Sequence, residues 1–498
     1  MKYILNPYYA LKNDKKRILL SNAPSFKVPE ELAEEGFMSF IHPIYAVILS
    51  SFDGKKDLKK VINEIAETFE EEIDTIENIV LPFIENKSKI GFMYEDVFFE
   101  FPKRMLVENK DNIESRYSPQ HFFLNEELDF TTQRLYTSSS DIRILINTKC
   151  ATDCIYCYVD REVKDNCKIP FNKVKELIKE AKILGVNSFD IAGTEIFLYR
   201  YWAELIEELL KNGYYPYLST KIPIGKKIID KLYNFGIKDI QISIDTLVDE
   251  EIITVNKYSN PNNNAQKMLK TLKALEEKKF NVAINSVITK YNCGLDTISY
   301  MLNKLSEFNN ISVVTLNIGE KSVYKSEENF LDFRVSLEEI EKIQNYCAAN
   351  EDRFNFNVVV PSYTEKKNFI NSYEDKRENF SKRSLCTAGI RQMCILPDGK
   401  VTICEELYWH PKFIIGNVLN NSIKEIWNSS EALSLVHPSQ NNFSSDTVCK
   451  SCNNFEICRM GAGVCYSDII SLYGEDKWDF PSPECPKAPK PNYISYFE

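Results

Sequence analysis

Fourteen cysteines, and above all their placement, constrain this 498-residue chain more than any other feature. None precedes Cys150. Three lie between Cys150 and Cys157, Cys167, Cys293 and Cys347 are scattered, and eight fall between Cys386 and Cys485. Disulfide frameworks belong to short secreted chains, and residues 1–11 have neither a basic-then-apolar layout nor a small-residue cleavage site. The cytoplasm is therefore the expected compartment, where thiols stay reduced and clusters of them serve metal. The longest uncharged apolar run, 37–52, is broken by His42, Pro43 and serines and falls short of the ~18–20 residues a membrane span needs. A net charge of −11 sets nucleic acid aside as the main partner.

Periodicity suggests five parts: 1–110, a linker 111–140, a repeating region 141–320, a bridge 321–380 and the cysteine-rich 381–498. The first mixes strand-like runs (3–9, 18–21, 45–49 and 92–101) with helical patterns over 58–69 and 73–84, which predicts a winged-helix-like α+β module. In the third, strand-like runs at 142–146, 188–192, 215–219, 240–244, 282–288 and 311–318 alternate with helical stretches at 171–184, 202–211, 225–235, 265–278 and 295–305. Six strands with intervening helices predict an α/β fold, a parallel sheet wholly or partly closed into a barrel with reactive residues on the loops after the strands. A helix at 337–349 and a strand at 356–360 follow.

Directly after the first barrel strand stands Cys150-Ala-Thr-Asp-Cys154-Ile-Tyr156-Cys157. Three thiolates on one tight loop can hold three irons of a four-iron cluster and leave the fourth iron open. Structural zinc, the alternative, closes with four ligands, and no histidine or fourth cysteine lies within eight residues. The triplet resembles that of the radical S-adenosylmethionine (AdoMet) superfamily, Cys-x3-Cys-x-aromatic-Cys after strand one of a partial (β/α)6 TIM-like barrel. The resemblance implies a [4Fe-4S] cluster on Cys150, Cys154 and Cys157, AdoMet on its open iron, and a 5′-deoxyadenosyl radical that abstracts hydrogen from carbon. It further implies AdoMet contacts at Tyr156, at Gly193-Thr194-Glu195 (Gly-Gly-Glu in the family), at Ser243 and Asp245 of a Ser-x-Asp segment, and at Lys257 in place of an arginine.

Cys386-x12-Gly399-x4-Cys404 is followed by Cys449-x2-Cys452-x5-Cys458, Cys465 and Cys485, with Cys394 inside the first interval. This array resembles the SPASM extension of radical AdoMet maturases, apart from six residues between Cys458 and Cys465 where three are usual. Eight thiolates suffice to close two four-iron clusters, and zinc ribbons are the alternative. The resemblance implies one auxiliary cluster on Cys386, Cys394, Cys404 and Cys465 and another on Cys449, Cys452, Cys458 and Cys485, three clusters in all. Cys167 or Cys293 could face the barrel mouth and return a hydrogen atom, as some epimerases of the superfamily do.

The N-terminal part resembles PqqD, the recognition element for ribosomally made, post-translationally modified peptides (RiPPs), which adds a precursor's leader as a strand to its sheet edge. A DNA-binding winged helix competes, but 63–77 carries seven carboxylates and no base. The combined expectation is a radical AdoMet/SPASM maturase that installs an oxidative thioether or carbon–carbon cross-link in a precursor peptide, supplied with electrons by a flavodoxin- or ferredoxin-type donor. A maturase of a folded, sulfatase-type target, a peptide epimerase, and an iron-sulfur redox sensor with a DNA-binding N-terminus are the alternatives.

Overall fold

The structure is a computed structural model and describes residues 1–23, 31–159, 169–258, 263–361, 380, 382–383 and 385–489. Two compact units are present, one formed by Met1–Asp141 with Ile178–Phe189 and Leu209–Tyr215, the other by Ile142–Leu177, Asp190–Glu208 and Pro216–Glu498.

In the first unit, β1 (Lys2–Leu5) lies between β5 (Asp53–Asp57) and β8 (Leu106–Glu108), while β2 (Tyr9–Asn13), β3 (Ile18–Asn22) and β4 (Met38–Ile41) form an antiparallel sheet. Helices α1 (Pro43–Ser50), α2 (Leu58–Phe69) and α3 (Ile73–Val80) precede a hairpin of β6 (Ile90–Tyr94) and β7 (Val97–Phe101). Glu95 and Asp96, both at positive φ (47° and 63°), make its two-residue turn. The run 45–49, expected as a strand, is helical because Pro43 opens α1 with its φ already set and the His42 ring accepts a hydrogen bond from the Ile44 amide. A short all-apolar run fits a buried helix as well as a strand. The segment 111–140, expected as a linker, is packed into the unit. Phe122 and Leu135 are buried, and the buried Arg17 pairs with Asp14 and donates to the carbonyls of Thr132 and Arg134. The long polar loop is ordered by backbone carbonyls that a buried guanidinium collects, a pattern without periodicity.

Residues 141–318 carry the predicted α/β alternation: β9 (Asp141–Leu145), α4 (Phe171–Ile183), β10 (Ser188–Ala192), α5 (Trp202–Lys211), β11 (Ser219–Thr220), α6 (Lys226–Asn234), β12 (Asp239–Ser243), α7 (Asp249–Asn256), α8 (Asn264–Glu277), β13 (Asn281–Ile288), α9 (Leu295–Leu305) and β14 (Ile311–Ile318). After α10 (Glu327–Phe333) and α11 (Leu337–Ala349), β15 (Asn357–Val359) extends the parallel ladder β11-β12-β13-β14. Along β13 every second residue is buried; Val282, Ile284 and Ile288 fill the core, while Asn285 and Val287 face a cavity. The third strand is shorter than predicted, because Pro216 has no amide to donate to a ladder. Among the described residues the six strands fall into two ladders, and β9 and β10 continue not into β11 but into β16 (Gln392–Ile395), β17 (Lys400–Thr402) and β18 (Ile414–Asn417). The barrel sheet is thus extended by strands of the cysteine-rich region. Gly399, at φ 87°, makes the turn into β17, where a Cβ would come within 2.7 Å of Asn417.

Candidate functional site

A cavity of about 1430 Å³ opens where the loops after the barrel strands converge. Cys150, Cys154 and Cys157 all line it, with Tyr156, Gly193, Thr194, Glu195, Lys221 and Ser243. The cysteine loop hangs from the C-terminal turn of α7: the amides of Asp153 and Ile155 donate to the carbonyls of Asn256 (2.9 Å) and Val255 (3.0 Å). On its other side the Lys325 ammonium donates to the Cys154 and Ile155 carbonyls at 3.2 and 3.0 Å. Thr152 Oγ1 lies 3.1 Å from Cys150 Sγ and 3.5 Å from Cys154 Sγ, and Asn256 Nδ2 lies 3.6 Å from Cys154 Sγ. Burial raises the Cys157 thiol above its ordinary pKa. Among the described residues no three His, Cys, Asp or Glu side chains converge as ligands of a single metal ion would. A four-iron cluster asks something different, one thiolate on each of three irons, and three thiols on one loop, facing one cavity and already within reach of hydrogen-bond donors, fit that demand.

Gly193 sits at φ 89° with Leu145 so near that a Cβ would lie 1.6 Å from its Cδ1, so only glycine fits after β10. Thr194 has a use for its hydroxyl: Oγ1 donates to the Asn147 carbonyl and stands 2.7 Å from Asn147 Oδ1, tying the end of β10 to the end of β9. The buried Glu195 carboxylate accepts from Thr220 Oγ1 (2.9 Å), the Lys221 amide (3.2 Å) and the Phe197 amide (3.3 Å). Burial raises its pKa against these hydrogen bonds.

Two expected AdoMet contacts differ from expectation. Asp245 does not line the cavity; it is buried and committed to Lys221 Nζ at 2.7 Å, the Val287 amide at 2.9 Å, the Tyr156 hydroxyl and Asn256 Nδ2. Lys257, in the left-handed conformation that ends α7, is exposed and also absent from the cavity wall. Lys221, immediately after β11, is one of the cations that do line the cavity, with Nζ also 2.7 Å from the Tyr156 hydroxyl. Burial works against the Lys221 ammonium, but Asp245 and the neighbouring Cys154 and Cys150 overrule it and raise its pKa. The position of Lys221 after a strand was a readable signal; the reach of Asn256 from the end of a helix was not.

The far wall of the cavity includes Glu405, Glu406, Ser467 and Asp468, residues next to Cys404 and Cys465. Arg143, pointing from β9, pairs with Glu405, and Glu406 accepts from Ser467 Oγ at 2.6 Å. Cys394, on β16, is fully buried beside Leu145, Leu396 and Tyr408. Burial pushes the Cys404 thiol up to about 12, with Glu406, Glu405 and Cys386 adding to the effect, and Cys386 and Glu406 bear likewise on Cys465 after burial. The thiols of Cys449, Cys452, Cys458 and Cys485 form a second mutually interacting set. Cys293 does not line the cavity, its thiol lying 3.5 Å from the Lys290 carbonyl; Cys347 is buried on α11; and Cys167 lies outside the described residues.

Residues 144–294 match the radical SAM superfamily, and residues 386–453 match SPASM, an iron-sulfur cluster-binding domain. The two matched stretches together cover less than half of the chain. Such domains imply a [4Fe-4S] cluster with AdoMet and further iron-sulfur clusters. The GTP 3′,8-cyclase of Staphylococcus haemolyticus is 30% identical over 160 residues, 30% of this chain and 46% of that protein. The chain thus spans about half the length of the curated relatives it matches. Streptococcus suis SuiB bound to its precursor peptide SuiA superposes on 97% of this chain and 99% of its own with a TM-score of 0.63 at 16% identity, and SuiB bound to S-adenosylmethionine does so with a TM-score of 0.61 at 15% identity. The likeness to SuiB is one of fold, and it extends over nearly the whole chain. Among the described residues no helix is long and apolar enough to cross a membrane.

Proposed function

We propose that the protein is a radical AdoMet peptide maturase, a cytoplasmic enzyme that installs an oxidative cross-link, thioether or carbon–carbon, in a ribosomally made precursor. The observation that carries the reading is the cavity. It joins the three thiols of the barrel loop to a wall from the SPASM region, and its size exceeds the ~300–1,000 Å³ typical of a small-molecule site, leaving room for a peptide segment beside AdoMet. The likeness to SuiB, whose structure holds a precursor peptide, supports a peptide as occupant.

In this reading Cys150, Cys154 and Cys157 hold the cluster, which with AdoMet supplies the 5′-deoxyadenosyl radical when bound. Gly193, Thr194, Glu195 and Ser243 position AdoMet, and Lys221 presents the cation that Lys257 was expected to supply. Tyr156 joins the cluster loop to that site through Asp245. Cys386, Cys394, Cys404 and Cys465 hold one auxiliary cluster, and Cys449, Cys452, Cys458 and Cys485 another, three clusters in all. The N-terminal unit serves as a PqqD-like recognition element, its sheet edge accepting the leader as an added strand, and a flavodoxin- or ferredoxin-type protein donates electrons.

The test is anaerobic reconstitution followed by reaction with AdoMet, a reductant and any short precursor peptide found encoded near the gene. About twelve irons per chain, 5′-deoxyadenosine and a peptide lighter by two hydrogens are the expected results. Deoxyadenosine with an unchanged peptide mass and one inverted residue would establish epimerisation instead, and zinc with no deoxyadenosine would overturn the reading.

A further inference from the structure

The two sets of C-terminal thiols differ in the charges placed around them. Beside the first set stand carboxylates: Glu405 and Glu406 follow Cys404, and Asp468 lies in the first turn of the helix Tyr466–Tyr473 that follows Cys465. All three line the cavity, and Arg143 pairs with Glu405. The second set is met by cations. Arg459 Nη2 lies 3.4 Å from Cys449 Sγ, Arg383 Nη2 lies 3.4 Å from Cys458 Sγ, and Lys487 Nζ lies 3.8 Å from Cys452 Sγ. None of these three cations lines the cavity.

Their placement is built. Arg459 is buried on the π-helical segment Ile457–Ala462, where Nη2 also donates to the carbonyls of Asp479 (3.3 Å) and Phe480 (2.5 Å). Arg383 is anchored by the carbonyls of Phe380 (2.7 Å), Gly463 (2.9 Å) and Cys458 (3.2 Å). Both guanidiniums are thereby aimed at sulfur. Adding an electron to an iron-sulfur cluster adds negative charge, which nearby cations and hydrogen bonds to sulfur favour and nearby carboxylates oppose.

Resting on the maturase reading and its ligand sets, we propose that Arg383, Arg459 and Lys487 hold the reduction potential of the cluster on Cys449, Cys452, Cys458 and Cys485 above that of the cluster on Cys386, Cys394, Cys404 and Cys465. These residues set the direction of electron flow. When a substrate radical closes its cross-link it releases one proton and one electron. With both clusters bound, the residues around them would favour passage of that electron from the set beside Glu405 and Glu406 to the set beside Arg383, Arg459 and Lys487, from which a one-electron carrier of the flavodoxin or ferredoxin type would take it.

The test is a redox titration of the reconstituted full-length enzyme followed by electron paramagnetic resonance, with Arg383→Gln, Arg459→Gln and Lys487→Gln beside the parent. The auxiliary signal of higher potential should move in the variants, the Arg459→Gln shift reaching at least a tenfold change in the reduction equilibrium, 59 mV for a one-electron couple, while the other two signals stay in place. Lys487 is exposed, so Lys487→Gln folds even if the buried Arg459→Gln does not, and its smaller downward shift tests the same idea. Glu406→Gln should raise the other auxiliary signal. Full iron loading with signals that do not move, or movement of the lower-potential signal in the Arg383, Arg459 or Lys487 variants, would overturn the proposal alone. Iron too low for two auxiliary clusters would overturn the maturase ligand sets and the proposal with them.

Discussion

The Cys150–Cys157 loop takes its shape from the barrel, its amides bonded to carbonyls at the end of α7 and its carbonyls to Lys325, whereas the cysteines between 449 and 485 stand on turns, a short 3-10 segment (Val448–Ser451) and a single π-helical stretch. Beneath the loop lie β strands with continuous apolar cores; beneath the second set the packed cluster is little more than Phe443, Cys449 and Phe455, with Trp478 against it. In the proposed reading one region would bring a finished scaffold to its cluster, and the other would leave the cluster to do much of what a core does elsewhere. In the proposed maturase a loop that must also admit AdoMet and substrate would gain from being preorganised, while an enclosed cluster would need only to be held.

Four experiments would break or sharpen that contrast. Replacing Cys150, Cys154 and Cys157 together with alanine should reduce 5′-deoxyadenosine formation to background while about eight irons remain in the C-terminal region; loss of those irons as well would show that the two regions fold as one. Chelating all iron should accelerate amide exchange across 440–489 by about 100-fold while β13 and β14 keep their protection, and equal loss in both would remove the distinction. Within the preorganised region, Lys221→Met leaves Asp245 buried with no cation and should cost about 3–5 kcal/mol in denaturant unfolding of the barrel. The smallest effect belongs to Thr194→Gly, which removes the hydrogen bonds to Asn147 and should cost about 0.5–1.5 kcal/mol with the cluster still loading; failure to load iron would show that this strand-end tie holds the loop itself.

How legible each part was follows from what kind of interaction builds it. The strands at 188–192 and 311–318 and the helices at 202–211 and 295–305 agree with the structure to the residue, because one repeating apolar period specifies both their type and their length. The run 45–49 carried no period and was decided by the cap at His42 and the proline after it. The segment 111–140 was opaque because it is fastened by main-chain carbonyls on Arg17, an interaction that leaves no mark on the side chains of the loop it holds. At the cavity the cysteine triplet was readable from its spacing and Gly193-Thr194-Glu195 from its resemblance to the family's Gly-Gly-Glu, while the lining by Lys221 and not by Asp245 or Lys257 was not readable, since which face of a strand end points inward depends on neighbouring strands.

By itself the sequence determined the alternation of strands and helices, the three cysteine groups and the glycines at 193 and 399, all of them local consequences of periodicity, spacing or a backbone angle. Only the tertiary structure decided that the barrel sheet runs on through β16 into the cysteine-rich region, that Lys221 and not Lys257 faces the cavity, and that arginines from two distant segments converge on one set of thiols while carboxylates stand beside the other. Those outcomes depend on long-range pairing and on the direction in which a side chain is aimed, and both are properties of the packed chain.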